Sequence, residues 1–381
     1  MSRFVLVGAR VMTEEGLRDG LAVEIADDRI AALIPLEALT GDLPRRDLAG
    51  GLLLPGFIDT QVNGGGDVLF NDAPTVETIA RIGAAHRRFG TTGFLPTLIS
   101  DDLRVVEMAL TAVRAAQDSG VPGVLGAHIE GPFLSHERQG IHDPGHFRTL
   151  DETGLELFER GWGISMLHTL APEMVDRSAV RRLAAAGVIL AAGHTNATYT
   201  RMRDGFADGF TGVTHLFNAM SPITSRAPGV VGAALESEAW CGVIVDGRHV
   251  DPVTLKLALK CHRLDRFMLV SDAMPCVGGN RHSFLLQGKP IYVRDGACYD
   301  DAGTLAGADL DMASAVRNAV GMLGLDLAVA SRMASGAPAA FMGLDHETGQ
   351  IAAGLRADLV LLDDDLTVRE TWIGGIDSAG A

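Results

Sequence analysis

Four cysteines stand in 381 residues, Cys241, Cys261, Cys276 and Cys298, and no two of them form a C-x-x-C pair. A disulfide framework is excluded for a chain of this length, and the expected compartment is a reducing one, the cytoplasm. Positive charge is also scarce. Lys plus Arg number 32 against 48 for Asp plus Glu, a formal charge of −16. That excludes nucleic acid or an anionic membrane as a partner held by bulk charge. It leaves room for one small anion, which a few local cations can hold. Long apolar runs are missing too. Residues 183–200 carry no Asp, Glu, Lys or Arg, but Gly193, His194, Asn196 and three threonines interrupt them. A membrane helix needs about 20 mostly apolar residues, so none is expected. The opening MSRFVLVGARVMTEEG lacks the apolar core and cleavage pattern of a secretory leader. Aromatics make up only 5%.

What the chain has is 47% hydrophobic residues, 46 glycines and 21% charged residues, the composition of a globular protein with a large core. Its first 54 residues read as β: FVLVGARVM, LAVEIADDRIAALI and the run into GLLLPG alternate around acidic and glycine turns. The end repeats the style in QIAAGLRADLVLLDDDLTVRETWIGG. Residues 1–54 and 344–381 are therefore expected to form one small β-sandwich, with 55–343 as the main domain.

That middle part has another rhythm. Eight apolar runs follow one another: GFIDTQV, TGFLPTLI, GVLGAHIEG, GISMLHTLAP, GVILAAGH, GVTHLFN, CGVIVDGRH and RFMLVSDA. They recur every ~25–40 residues, the length of a strand, a helix and two loops. Between them TVETIARIGAAHRRF and LRVVEMALTAVRAAQ carry apolar residues at helical spacing. Eight such units predict a TIM-like (β/α)8 barrel. RHSFLLQGKPIYVRDGACYDDAGTLAG then reads as β-hairpins inserted near 280–308.

Barrel chemistry gathers where the strands end. Glu130 closes the third run, His194 the fifth, His215 the sixth and Asp272 the eighth. Singly, each has an ordinary reading as a solvated residue, a satisfied histidine or a helix cap. Together they are costly to bury in one barrel mouth unless they pair or bind a cation. Glu130, His194 and His215 make a Zn2+ set with an open position, leaving Asp272 free as a base. His142 lies on a long loop after the third run, His249 just past the seventh and Arg226 on a Gly/Pro loop, and each reads first as a surface loop residue. His86, His128 and His168 are read as structural.

The segments HIEGPFL (128–134), QGIHDP (139–144), LAPE (170–173), GHTNATY (193–199), THLFNAM (214–220), VDGRHV (245–250) and VSDAM (270–274) carry a resemblance. In order and over nearly the whole chain from Leu53, they resemble the N-acetylglucosamine-6-phosphate deacetylases of the amidohydrolase superfamily. The resemblance implies a (β/α)8 barrel with a small sandwich from both termini. It implies hydrolysis of the acetamide of N-acetylglucosamine 6-phosphate to glucosamine 6-phosphate and acetate. Glu130, His194 and His215 would bind the metal, Asp272 would be the acid–base and His142 would meet the substrate carbonyl. His249, Asn218 and the Ala219 backbone would meet the sugar phosphate. Arg226 would reach into the neighbouring site of a homodimer.

After the first run, some members carry His-x-His and hold two metals, while others carry Gln-x-Asn and hold one. This chain has Gln61 and Asn63. An amide oxygen is a weaker zinc ligand than imidazole, so one divalent metal per chain is expected, Zn2+ before Fe2+, with the second position vacated. Three other readings stay open: a deacetylase of N-acetylgalactosamine 6-phosphate, an N-acylamino-acid hydrolase, and a silent barrel that senses a sugar phosphate.

Overall fold

The computed structural model describes residues 3–378. Residues 1, 2 and 379–381, the outer tips of the expected terminal module, lie outside the described residues. Eight parallel strands are hydrogen-bonded in chain order. They are β1 (Phe57–Val62), β2 (Thr91–Ile99), β3 (Gly126–Glu130), β4 (Ser165–Leu170), β5 (Ile189–Ala192), β6 (Phe210–Val213), β7 (Trp240–Val243) and β8 (Phe267–Leu269). A bridge between Val62 and Ala273 links the first strand to the segment after the eighth and nearly closes the ring. This is the barrel expected from the sequence.

The apolar runs have a direct physical cause. Every residue of β1 and of β2 is buried. Such strands face packed side chains inside and helices outside, so both sides must be apolar. The helices show the complementary pattern. In α1 (Val76–Arg87) the cap is Thr75, whose hydroxyl accepts from Thr78 N–H. In α2 (Leu103–Asp118), Val106, Ala109, Leu110, Val113 and Ala116 form one buried stripe at spacings of three and four.

The terminal segments meet in a shared sheet. Leu52–Pro55 runs antiparallel to Leu359–Leu362, in a six-stranded sheet that also holds Arg10–Thr13 and Val368–Ile373. A four-stranded sheet contains Arg3–Val7, Leu21–Ala26, Arg29–Pro35 and Arg45–Asp47. The period-two alternation of a strand decides which residue faces where. Leu53, Leu359 and Leu361 point into a core with Leu6, Val23, Ile25 and Trp372. Their neighbours Leu52, Leu54, Val360 and Leu362 pack on the barrel core instead. This explains the unbroken runs LLLP and LVLL. Past β8, four antiparallel strands between Ser283 and Ala308 form a separate small sheet.

The strands are shorter than the apolar runs suggest. Glu130 is the last residue of β3, but His194, His215 and Asp272 lie two or three residues beyond β5, β6 and β8. Their φ angles are 46°, 34° and 52°. A left-handed residue breaks the sheet ladder, so each strand stops before it. Non-glycine residues keep such angles only where surrounding structure compels them, a pattern that concentrates at functional sites.

Candidate active site

A cavity of about 320 Å3 lies over the carboxyl ends of the strands, with part of its wall supplied by Leu286, Thr304, Leu305 and Ala306 of the inserted sheet. Glu130, His194 and His215 meet in it. His215 Nε2 is 2.9 Å from Glu130 Oε1, His194 Nε2 is 3.3 Å from the same oxygen, and the two nitrogens are 3.2 Å apart. All three residues are buried.

The hydrogen bonds around His194 define which atoms are free. His194 Nδ1 lies 2.9 Å from the Arg138 carbonyl. A carbonyl only accepts, so Nδ1 carries the proton and Nε2 of the neutral ring is a lone pair. Two ring nitrogens and one carboxylate oxygen then converge on a single point. Crowding electron-pair donors without an intervening positive charge is unfavourable, and it is the arrangement that a divalent cation satisfies. The residues fit such a metal. Burial alone would raise the Glu130 carboxyl, but the imidazoles of His194 and His215 beside it outweigh that and hold the group well below its usual range. Burial likewise disfavours charge on His215, and the Glu130 carboxylate reverses that, raising the ring.

Asp272 faces the cavity beside this cluster. Asn63 Nδ2 donates to its Oδ1 at 2.7 Å and Gln61 Nε2 at 3.2 Å. Gln61 Nε2 also approaches both Glu130 oxygens, at 3.4 and 3.3 Å. Carboxylates require the amides to present their NH2 ends, so Gln61 and Asn63 are oriented as donors here, with Asn63 Oδ1 buried and unpaired. Burial, then the Glu130 charge, push the Asp272 carboxyl up. Beneath it Asp59 accepts from Ser271 Oγ, Ser271 N–H and Gln61 N–H, which pins the turn that aims Asp272.

His142 stacks near His194, with ring centroids 4.3 Å apart. Its Nδ1 is 2.8 Å from Ser100 Oγ and 3.4 Å from Ser100 N–H. The N–H can only donate, so Nδ1 is the acceptor and a neutral His142 carries its proton on Nε2, the atom left for the cavity. Burial, then His194, lower its basicity well below that of free imidazole and keep it neutral. Ser100 was not legible as a site residue. Its one signal is its place directly after the second apolar run.

Asn218, Ala219 and His249 also line the cavity. Ala219 has φ of 48° and its N–H bonds no other described residue. His249 Nδ1 is 2.6 Å from Asp246 Oδ2. Arg226 lies apart from these. It sits on the exposed stretch 222–228 and does not line this cavity of its own chain. The three histidines read as structural are held elsewhere: His86 on Gly64 O, His128 between Thr97 and Thr169, and His168 on Gly131 O. Among the described residues, no helix is long and apolar enough to cross a membrane.

Comparison with known proteins identifies the chain's relatives. The chain is 44% identical to an N-acetylgalactosamine-6-phosphate deacetylase of Shewanella sp. (strain ANA-3), over 98% of this chain and 95% of that one. It is 35% identical to an N-acetylglucosamine-6-phosphate deacetylase of Haemophilus influenzae, over 98% of each. A crystal structure of N-acetylglucosamine-6-phosphate deacetylase from Pasteurella multocida superposes with a TM-score of 0.96 at 36% identity, covering 99% of both chains. The sequence model of the amidohydrolase family matches residues 52–376, and the chain belongs to that family.

Proposed function

We propose that this chain removes the acetyl group from an N-acetylhexosamine 6-phosphate, N-acetylglucosamine 6-phosphate in the first instance, giving the amino sugar phosphate and acetate. The observation that carries the reading is the convergence of Glu130, His194 and His215 in one cavity with Asp272 and His142 beside them. Glu130, His194 and His215 would hold a divalent cation, one per chain and Zn2+ by preference over Fe2+, which would supply Lewis acidity for activating water and polarising the amide.

The chain's own groups do the rest. Asp272, fixed by the Asn63 and Gln61 amides, takes the proton of the attacking water and returns it to the departing amine. His142 Nε2–H donates to the acetyl oxygen as negative charge builds there. Asn218 and the Ala219 N–H bind the sugar phosphate, His249 meets the phosphate, and Arg226 from a second copy of the chain completes its charge. Anchoring the phosphate orients the amide, and it lets an acidic protein hold an anionic substrate. The division into a barrel over 55–343 and a sandwich from 1–54 with 344–381 belongs to this reading, supported by the sheet that both termini share.

N-acetylgalactosamine 6-phosphate is a second reading, favoured by the 44% identity to the Shewanella enzyme named for it. Acetate release from both sugar phosphates, with and without chelator, tests the proposal. Release from either one that chelation abolishes is expected, and the ratio of the two kcat/KM values assigns the sugar. No release from either refutes it.

A further inference from the structure

His249 reaches the cavity from the loop after β7, and the structure shows why its ring is fixed there. Its side chain and that of Asp246 are 5% and 4% exposed, so both groups are almost wholly removed from water. The two oxygens of Asp246 have separate tasks. Oδ1 accepts the backbone N–H groups of Arg248 at 2.8 Å and His249 at 2.9 Å, which caps the turn. Asn or Ser at this position does the same. Oδ2 is not needed by the turn, and it meets His249 Nδ1 at 2.6 Å.

That contact decides what His249 offers the cavity. A carboxylate oxygen accepts, so Nδ1 carries a proton. Nε2 bonds no other described residue. A neutral ring held this way presents a lone pair at Nε2, which repels an anion. An Nε2–H donor together with the Nδ1–H exists only in the protonated ring. An anion at Nε2 and the Asp246 carboxylate at Nδ1 therefore sandwich an imidazolium, the charge-assisted form of the bond.

We propose that Asp246 is a positioning residue for anion recognition: its carboxylate holds the His249 Nδ1–H and so aims Nε2 at the substrate phosphate. The inference rests on the phosphosugar reading above.

The test compares N-acetylglucosamine 6-phosphate and N-acetylgalactosamine 6-phosphate with their unphosphorylated sugars, in wild type and Asp246→Asn. The amide keeps an oxygen for the turn but loses the charge. KM for the phosphorylated substrate should rise by about tenfold or more, the scale of one charged hydrogen bond. Its kcat should stay within about threefold, and kcat/KM for the unphosphorylated sugar should barely move. In a His249→Gln background the same change should add nothing to KM. Unchanged KM, equal losses on both kinds of substrate, or additive losses in the double variant each overturn the inference while leaving the functional reading intact. Wild type without acetate release from either phosphosugar overturns both. If the Asn variant does not fold, Asp246→Ser, which can cap the turn through its hydroxyl, is measured with the same expectations.

Discussion

The amides of Gln61 and Asn63 are the most exposed part of the mechanism to a single substitution. Asn63→Leu removes the 2.7 Å bond to Asp272 Oδ1 while keeping the branching and the number of side-chain heavy atoms. A hydrogen bond to a charged group contributes about 1.5–3 kcal/mol. At 1.36 kcal/mol per factor of ten, its complete loss from the transition state corresponds to about 10- to 100-fold in kcat. Gln61 Nε2 remains 3.2 Å from the same oxygen, so the single variant should fall near the lower bound. Gln61→Leu combined with Asn63→Leu should approach the upper one, about 100-fold. Folding should suffer little, because Asn63 Oδ1 is buried without a partner and its removal relieves an unsatisfied acceptor. The assay is steady-state acetate release together with metal analysis of each variant. Metal content of the Asn63→Leu variant should equal that of wild type, because Asn63 bonds Asp272 and not the Glu130–His194–His215 cluster. A variant that loses its metal while an added excess restores full kcat would make Asn63 a ligand and refute the donor assignment.

Asp272→Asn should keep the metal and lose at least about 100-fold in kcat, the low end for a positioned acid–base group; retained turnover would place the base elsewhere. Burial pushes the Asp59 carboxyl up to about 7, against its hydrogen bonds from Ser271 and Gln61. A raised carboxyl stabilises the fold fully below the unfolded value near 4 and loses that contribution as pH climbs to about 7. Three units correspond to on the order of 4 kcal/mol, so denaturant midpoints of wild type should fall between pH 4 and 8 relative to Asp59→Asn. Parallel curves would contradict this. Gly307→Ala should lower kcat and stability together. Its φ is 78° and an added Cβ would lie 2.8 Å from the Asp272 carbonyl. Unaltered activity in a folded Gly307→Ala protein would show that the backbone behind Asp272 yields freely.

The barrel was legible because burial on both faces forces each strand into a continuous apolar run, and the eight runs are evenly separated by amphipathic segments. The sharing of one sheet by both termini was legible from matching β patterns at the two ends. Strand ends were harder to read. The runs GVTHLFN and RFMLVSDA continue apolar past the ladder, and only the left-handed backbone at His215 and Asp272 stops it. Glu130, His194, His215 and Asp272 could be picked out because ionisable side chains at strand ends are conspicuous. Their supports were hidden. Ser100 lies 42 residues before the His142 ring it meets, and the Arg138 carbonyl lies 56 residues before His194. Nothing in local spacing encodes such pairings. Asp246 stands three residues from His249, yet its two-sided use shows only in the geometry.

The sharpest test counts the metal against the chemistry. Protein stripped of metal is titrated with Zn2+ while acetate release from N-acetylglucosamine 6-phosphate and from N-acetylgalactosamine 6-phosphate is followed. Activity on the preferred sugar should rise linearly and stop at about one equivalent per chain, the complement of a three-ligand site. A rise that continues to two equivalents would mean that Gln61 and Asn63 do not replace a second cation, and full activity in the stripped protein would remove the metal from the mechanism.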